Sequence, residues 1–171
     1  MNYKIKLRNI KNFIFDVDGV FTNNSVMVFE NEFIRTLNAR DSYAVQYAAK
    51  LGYRIFIVTG GESTAVKKAL LKLGVTEVYL ESSNKLEVFN NLVVKHGVDP
   101  LETLYMGDDI PDIPLLQNVL LPCCPLDACI DVRKHVEYIS PTKGGEGCVR
   151  DVIEQTLRVQ ENWLKDNAYT W

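Results

Sequence analysis

The sequence has no apolar run approaching the length of a membrane-spanning helix, and no block of Lys or Arg that would form a basic face. With a formal net charge of −3, it lacks the electrostatic footprint of a nucleic-acid surface. Histidine is scarce, with His96 and His135 alone. The four cysteines, Cys123, Cys124, Cys129 and Cys148, lack the paired C-x-x-C spacing of structural zinc sites. Adjacent cysteines rarely both ligate, so zinc is set aside and reduced, partly buried thiols are expected. No secretion signal is expected either. The leader MNYKIKLRNIKNFIF is mildly basic and then apolar, but its apolar run meets Asp16 and Asp18 too soon to serve as an h-region. A cytoplasmic location is the expectation. No repeat, low-complexity tract or linker interrupts the 171 residues. They suffice for one core and are few for two, so residues 1–171 are read as a single domain.

What remains is an ordinary globular composition, 47% apolar and 24% charged, laid out as alternating strand-like and helix-like segments. Buried-strand character marks the stretch from Phe13, then RIFIV (54–58), EVYL (77–80), TLYM (103–106), VLLP (119–122) and VEYI (136–139). Helical spacing runs from Asp41, read as a cap, through SYAVQYAAKLG to Gly52. It recurs over 63–73 before Gly74, over 85–95 behind an Asn84 cap, and in a long amphipathic helix from Cys148 to Lys165. Val26–Phe29 and Phe33–Leu37, parted by Glu30-Asn31-Glu32, predict a hairpin. The pattern predicts an α/β fold with a doubly wound, Rossmann-like parallel sheet covered on both faces. It carries a small β-hairpin insertion over about 21–38 and a tail over about 166–171.

The stretch FIFDVDGVF, residues 13–21, sets two carboxylates and a glycine into what otherwise reads as a buried central strand. Asp16 and Asp18 therefore mark the strand's end, with the chain turning at Gly19. Taken alone, this is an Asp-Gly turn. The second sheet strand, however, ends in Thr59-Gly60-Gly61, the fourth in Gly107-Asp108-Asp109, and Lys85 opens the helix after the third. In a parallel sheet these ends share one edge, the edge where ligands bind. Caps and turns account for each of them singly but not for their coincidence at successive strand ends. Crowded carboxylates call for a divalent cation, and an all-oxygen donor set suits Mg2+. Glycine-rich turns at helix starts offer N–H groups to an anion, to which Thr59 adds a hydroxyl and Lys85 a positive charge. An anion beside a magnesium ion beside a spare carboxylate is the layout of phosphoryl transfer.

In order, FDVDGV, IVTGG, Lys85 and GDDIPD resemble the four motifs of the haloacid dehalogenase superfamily of phosphotransferases. With the hairpin, LNARDSYAVQ, PCCP, GGEGCVRDV and the aromatic tail, the chain is similar over its whole length to the superfamily's small, capless phosphatases acting on 3-deoxy-D-manno-octulosonate 8-phosphate. The resemblance implies that Asp16 is the nucleophile, taking the phosphoryl group as an aspartyl-phosphate. Asp18 would protonate the leaving sugar oxygen and then deprotonate the attacking water, so the two neighbours need different protonation states. Thr59, with backbone amides near Val17, Asp18 and Gly60, would bind the phosphoryl group, and Lys85 would neutralise it. Mg2+ would be held by Asp16 and Asp108 and by the backbone carbonyl of Asp18, with Asp109 in support and Asp112 as a further candidate. Gly61 would leave room for substrate. Arg40, Asp41, Lys67, Lys68 and Arg150 are the candidates for binding the sugar acid, whose carboxylate needs a cationic partner. Lys67 and Lys68 stand where some relatives have arginines, and lysine lacks the two-pronged fork.

The gaps that hold caps in the superfamily contain only the hairpin and one βα unit, so no cap domain fits. Relatives of this kind form homotetramers in which neighbours complete each site. The apolar hairpin residues Val26, Val28, Phe29, Phe33 and Ile34, and the tail Ala168-Tyr169-Thr170-Trp171, are the parts implied to do so. The implied activity is sugar phosphate hydrolysis in lipopolysaccharide precursor biosynthesis, with no nucleic-acid or membrane partner. Three other readings are open: a nine-carbon, sialic-acid-type keto-deoxy sugar phosphate as substrate, a phospho-accepting receiver domain, and a structural subunit with a decayed site. Asp18 argues against the receiver, which should lack an acid/base two residues beyond its phosphorylated Asp. The intact catalytic positions argue against decay.

Overall fold

The computed structural model describes residues 2–30 and 33–170. In chain order its strands are β1 (Asn12–Phe15), β2 (Met27–Val28), β3 (Phe33–Ile34), β4 (Arg54–Val58), β5 (Glu77–Tyr79), β6 (Thr103–Met106), β7 (Leu121–Cys124) and β8 (Tyr138–Ile139). The α-helices are α1 (Tyr3–Leu7), α2 (Ala39–Lys50), α3 (Thr64–Lys72), α4 (Lys85–His96), α5 (Ile113–Leu116) and α6 (Cys148–Val159).

β1 lies at the centre because it is apolar on both faces. Phe13 and Phe15 pack into one core with α2, α3 and α6, while Ile14 points the other way toward α4 and α5. The same alternation splits Ile55 and Ile57 from Phe56 and Val58, and Leu104 and Met106 from Tyr105. Covered on both sides, these strands can be continuous apolar runs. The sheet runs β5-β4-β1-β6-β7-β8, parallel throughout, with Phe15 opposite Ile57 on one side and Met106 on the other. The ends of β1, β4 and β6 are thereby level. A two-stranded antiparallel hairpin, β2 with β3, stands apart between β1 and α2. Among the described residues a turn over Val17–Phe21, that hairpin and α2 separate β1 from β4, and α3, β5, α4 and a short turn over Pro100–Glu102 separate β4 from β6, which leaves no room for a cap domain.

Several boundaries differ from the expected ones for identifiable reasons. α2 is capped by Asn38, whose side chain accepts the Arg40 N–H, and not by Asp41, which lies buried inside the first turn. β7 occupies 121–124 because register with β6 places Met106 opposite Cys123, drawing both cysteines into the sheet. β8 shrinks to Tyr138–Ile139. α6 stops at Val159, short of Lys165, since Glu161 and Leu164 take left-handed backbone (φ 59° and 61°). That reversal turns Trp163 back onto Tyr43 and Tyr47 of α2. The tail then lies along its own chain, with Tyr43 Oη donating to the Ala168 carbonyl at 2.5 Å and Lys50 Nζ to that of Thr170 at 3.0 Å. Trp171 and the expected hairpin-turn residues Asn31 and Glu32 lie outside the described residues. The helix α1, capped by the Asn2 side chain, has no counterpart in the sequence reading.

Candidate active site

Past β1 the chain makes one wide turn over Val17–Phe21, closed by the Thr22 N–H on the Val17 carbonyl at 3.0 Å. Gly19 permits it. Its φ of 82° favours glycine, and a Cβ there would overlap the Asp108 carboxylate. The turn brings the ends of β1 and β6 into contact, beside a cavity of about 410 Å³ along the carboxyl edge of the sheet. Asp16, Lys85, Asp108 and Asp112 line it beside Asp18 and Asp109, and the walls are completed by Thr59, Gly60 and Gly61 with Ser82, Ser83, Asn24 and Pro111.

The floor is a buried ionic network. Asp16 accepts the Val17 N–H on Oδ1 (2.7 Å) and pairs through Oδ2 with Lys85 Nζ (2.7 Å). Lys85 also reaches Asp112 Oδ1 at 2.5 Å, on which the buried Tyr105 hydroxyl donates as well. Asp112 Oδ2 accepts the N–H groups of Asp108 (2.9 Å) and Asp109 (3.1 Å). Oxygens of Asp16, Asp108 and Asp112 lie within 4.8 Å of one another. Burial pushes Asp16 up to about 6 against the pull of Lys85, with Asp112 adding to the rise. Burial, then the charges of Asp16 and Asp112, pushes Asp108 up to about 7. Burial pulls Lys85 down, but Asp16 and Asp112 outweigh it and hold its ammonium above the ordinary value. Two carboxylates that resist ionising side by side, built only of oxygen donors, fit a divalent oxygen-seeking cation. Asp112, already saturated by four donors, serves better as the anchor of Lys85. Asp109 lies outside the close trio, and its side chain caps the following turn at the Ile110 N–H (2.8 Å).

The walls supply anion donors. Thr59 Oγ1 accepts the Gly61 N–H at 3.2 Å, which leaves its own hydrogen directed elsewhere. The loop after β5 is laced to this one, with Glu81 N–H on the Gly61 carbonyl (3.1 Å) and Ser82 N–H on that of Thr59 (2.9 Å). Asp18 sits higher, its carboxylate gripped by Arg35 through Nε (2.6 Å) and Nη2 (2.9 Å), with the Thr22 hydroxyl 3.2 Å from Oδ1. Hydrogen bonding to Asp18 raises the guanidinium pKa further.

Of the residues singled out in the sequence, Asp16, Asp18, Thr59, Gly60, Gly61, Lys85, Asp108 and Asp109 are brought together here. Arg40, Asp41, Lys67, Lys68 and Arg150 do not line the cavity. Arg40 and Lys68 are exposed and Lys67 is half-buried on α3. Asp41 is fully buried and accepts the Arg150 N–H at 2.6 Å, so it caps α6 from a distance where Gly147 has no side chain to do so. Burial, opposed by that bond, pushes it up to about 6. Arg150 pairs with Glu154 (3.0 Å) and lies 5.4 Å from the Trp163 ring centroid. Sequence reasoning missed Arg35, Asn24, Ser82 and Ser83. The two serines follow β5 directly, and the strand-end rule that found Thr59 would have found them.

A family model of the haloacid dehalogenase-like hydrolases matches residues 41–119. The 3-deoxy-D-manno-octulosonate 8-phosphate phosphatase KdsC of Escherichia coli strain K12 is 33% identical over 156 residues, covering 91% of this chain and 83% of that one. Among solved structures, the phosphatase of the same name from Yersinia pestis superposes with a TM-score of 0.90 at 28% identity, over 93% of this chain and 86% of that one. The Moraxella catarrhalis phosphatase of that name, in complex with a magnesium ion, a phosphate ion and KDO, gives a TM-score of 0.90 at 27% identity, over 94% and 92%. Likeness to phosphatases over nine-tenths of the chain displaces the receiver reading. The chain belongs to the haloacid dehalogenase-like hydrolases, among the capless 3-deoxy-D-manno-octulosonate 8-phosphate phosphatases, and is a phosphoric monoester hydrolase.

Proposed function

We propose that this phosphatase hydrolyses 3-deoxy-D-manno-octulosonate 8-phosphate to the free sugar acid and phosphate through an aspartyl-phosphate on Asp16, in cytoplasmic lipopolysaccharide precursor biosynthesis. The observation that carries the mechanism is the placement of two aspartates, two residues apart, in unlike settings. Asp16 is at the floor against Lys85, and Asp18 is at the wall with one oxygen toward the phosphate loop. The names of the relatives support the substrate.

In the first half-reaction an Asp16 oxygen bonds to phosphorus as the bond from phosphorus to the sugar oxygen breaks. That oxygen keeps the electron pair and takes the proton from Asp18. In the second, water gives a proton to Asp18 while its oxygen bonds to phosphorus and the Asp16–phosphorus bond breaks. Phosphate leaves, and both carboxyls regain their starting states. Thr59 and the amides near Asp18 and Gly60 orient the phosphoryl oxygens, Gly61 leaves room for the substrate, and Lys85 offsets the phosphoryl charge. Mg2+, held by Asp16, Asp108 and the Asp18 carbonyl with Asp109 near by, would supply further charge neutralisation between nucleophile and phosphoryl oxygen. Asp112 fixes Lys85 and the backbone of Asp108 and Asp109 in place.

The proposal extends to assembly. Residues 1–171 act as one catalytic domain, and the open cavity is completed in a homotetramer whose contacts include the hairpin. Val28, at 70% exposed, with Met27, Phe29 and Phe33 at about half, supports this. Of the candidates for the sugar carboxylate, Arg40 and Lys68 offer free surface to an assembled site.

The test is phosphate release with Mg2+ from the eight-carbon and nine-carbon keto-deoxy sugar phosphates side by side, with Asp16→Asn as the blank. Preference for the eight-carbon ester is expected. Preference for the nine-carbon ester would replace the substrate and keep the mechanism.

A further inference from the structure

Arg35 follows β3 directly, at the root of the hairpin. Its neighbours Phe33 and Ile34 are exposed, yet its own side chain is 11% exposed and turned onto the wall of the cavity. Nε donates to Asp18 Oδ1 at 2.6 Å and Nη2 to Oδ2 at 2.9 Å. Such a fork fixes the plane of a carboxylate as well as its position. The Thr22 hydroxyl, 3.2 Å from Oδ1, holds that oxygen from a second side. Among the described residues Oδ2 accepts from Arg35 and no other side chain, and it lies on the side of the phosphate loop. A Cβ at Gly61 would stand 3.4 Å from Asp18 Oδ2 and from Arg35 Nη2, and 3.6 Å from Thr59 Oγ1. Glycine at this position therefore keeps open the space into which Oδ2 faces. An exposed ion pair would be a weak constraint, but here the guanidinium is largely covered while the carboxylate it holds, 33% exposed, meets the cavity.

We propose that Arg35 is a positioning residue for hydrolysis: its fork holds both oxygens of Asp18 while Thr22 adds a second donor on Oδ1 only, so that Oδ2, with a lone pair left toward the cavity, is the oxygen that hands the proton to the departing sugar and later takes one from water. The inference rests on the acid/base role given to Asp18 above. The leaving group separates the possibilities. A sugar alkoxide needs the donated proton, whereas nitrophenolate departs without it.

The experiment compares wild type, R35A, R35K and D18N, each with Mg2+ and with thermal melts to verify folding. Steady-state turnover of the sugar phosphate is set beside the first-turnover burst of nitrophenolate from p-nitrophenyl phosphate. R35A is expected to lower kcat on the sugar ester by on the order of a hundredfold, as a misplaced catalytic group does, with KM little changed. The nitrophenolate burst should lose far less, and R35K, charged but without the fork, should fall between wild type and R35A. A raised KM with kcat unchanged would make Arg35 a substrate ligand and overturn the inference, as would equal losses on both esters or no loss at all. Should R35A fail to fold, R35K carries the same comparison. D18N turning over the sugar ester like wild type is a different failure, since it would remove the role of Asp18 itself.

Discussion

The floor of the cavity and the hairpin that follows β1 are built on opposite principles. On the floor, Asp16, Lys85, Asp108, Asp112 and Tyr105 are all buried, and nearly every polar atom has a fixed partner. In the hairpin, large apolar side chains stand in the open on strands of two residues each. The floor is over-determined by its own chain, which suits groups that must meet a phosphoryl centre in one geometry. The hairpin is under-determined, which suits a surface that finds its partners elsewhere. Arg35 joins the two, rooted in the hairpin and gripping Asp18.

Breaking the floor should have the largest effects. Asp16→Asn is expected to cut turnover by on the order of 10⁴-fold or more, as loss of a nucleophile does, with the fold retained in a thermal melt. Lys85→Ala leaves Asp112 and Asp16 buried without their cation and should cost about 3–5 kcal/mol in urea unfolding.

Acidity sharpens the contrast, because the floor carries two carboxyls that burial holds well above the ordinary range. Asp16 and Asp108, at about 6 and about 7, bind protons in the folded chain that the unfolded chain gives up. Their stabilisation is complete below about pH 4 and is lost as pH rises through their folded values. Metal-free protein should therefore melt at progressively lower temperature between about pH 4 and pH 7. Saturating Mg2+ should remove the part of the fall due to Asp16 and Asp108, since it binds the deprotonated groups, and leave the part due to buried Asp41, raised to about 6 away from the cavity.

Asp41→Ala, which removes the remote cap of α6, should cost about 1 kcal/mol. At the other pole, Val28→Ser with Phe33→Ser should change the stability of dilute protein by no more than about 0.5 kcal/mol. The same pair should lower the assembled mass by light scattering.

The sheet and the floor were legible in the sequence for a physical reason. Apolar runs such as RIFIV and TLYM announce strands covered on both faces, and polar residues at their ends have nowhere to go but the shared edge. Asp16, Thr59, Lys85 and Asp108 were found that way. Where contacts are long-range, the sequence was mute. Asp41 looked like the cap of its own helix and instead caps α6, more than a hundred residues on, because Gly147 leaves that helix end open. Asn38 took the local role. The stop of α6 at Val159 depends on Trp163 finding α2, which no local pattern records. Arg35 sat in an unremarkable hairpin segment, and its partner is defined only once the turn after β1 has formed.

The most direct single measurement is to mix the enzyme with Mg2+ and the eight-carbon sugar phosphate, quench in acid within the first turnover, and locate the phosphoryl group by peptide mass spectrometry. The result expected is a labile phosphoryl group on the peptide carrying Asp16, absent in Asp16→Asn. Turnover with no such adduct, or an adduct on another residue, would contradict the mechanism built on Asp16.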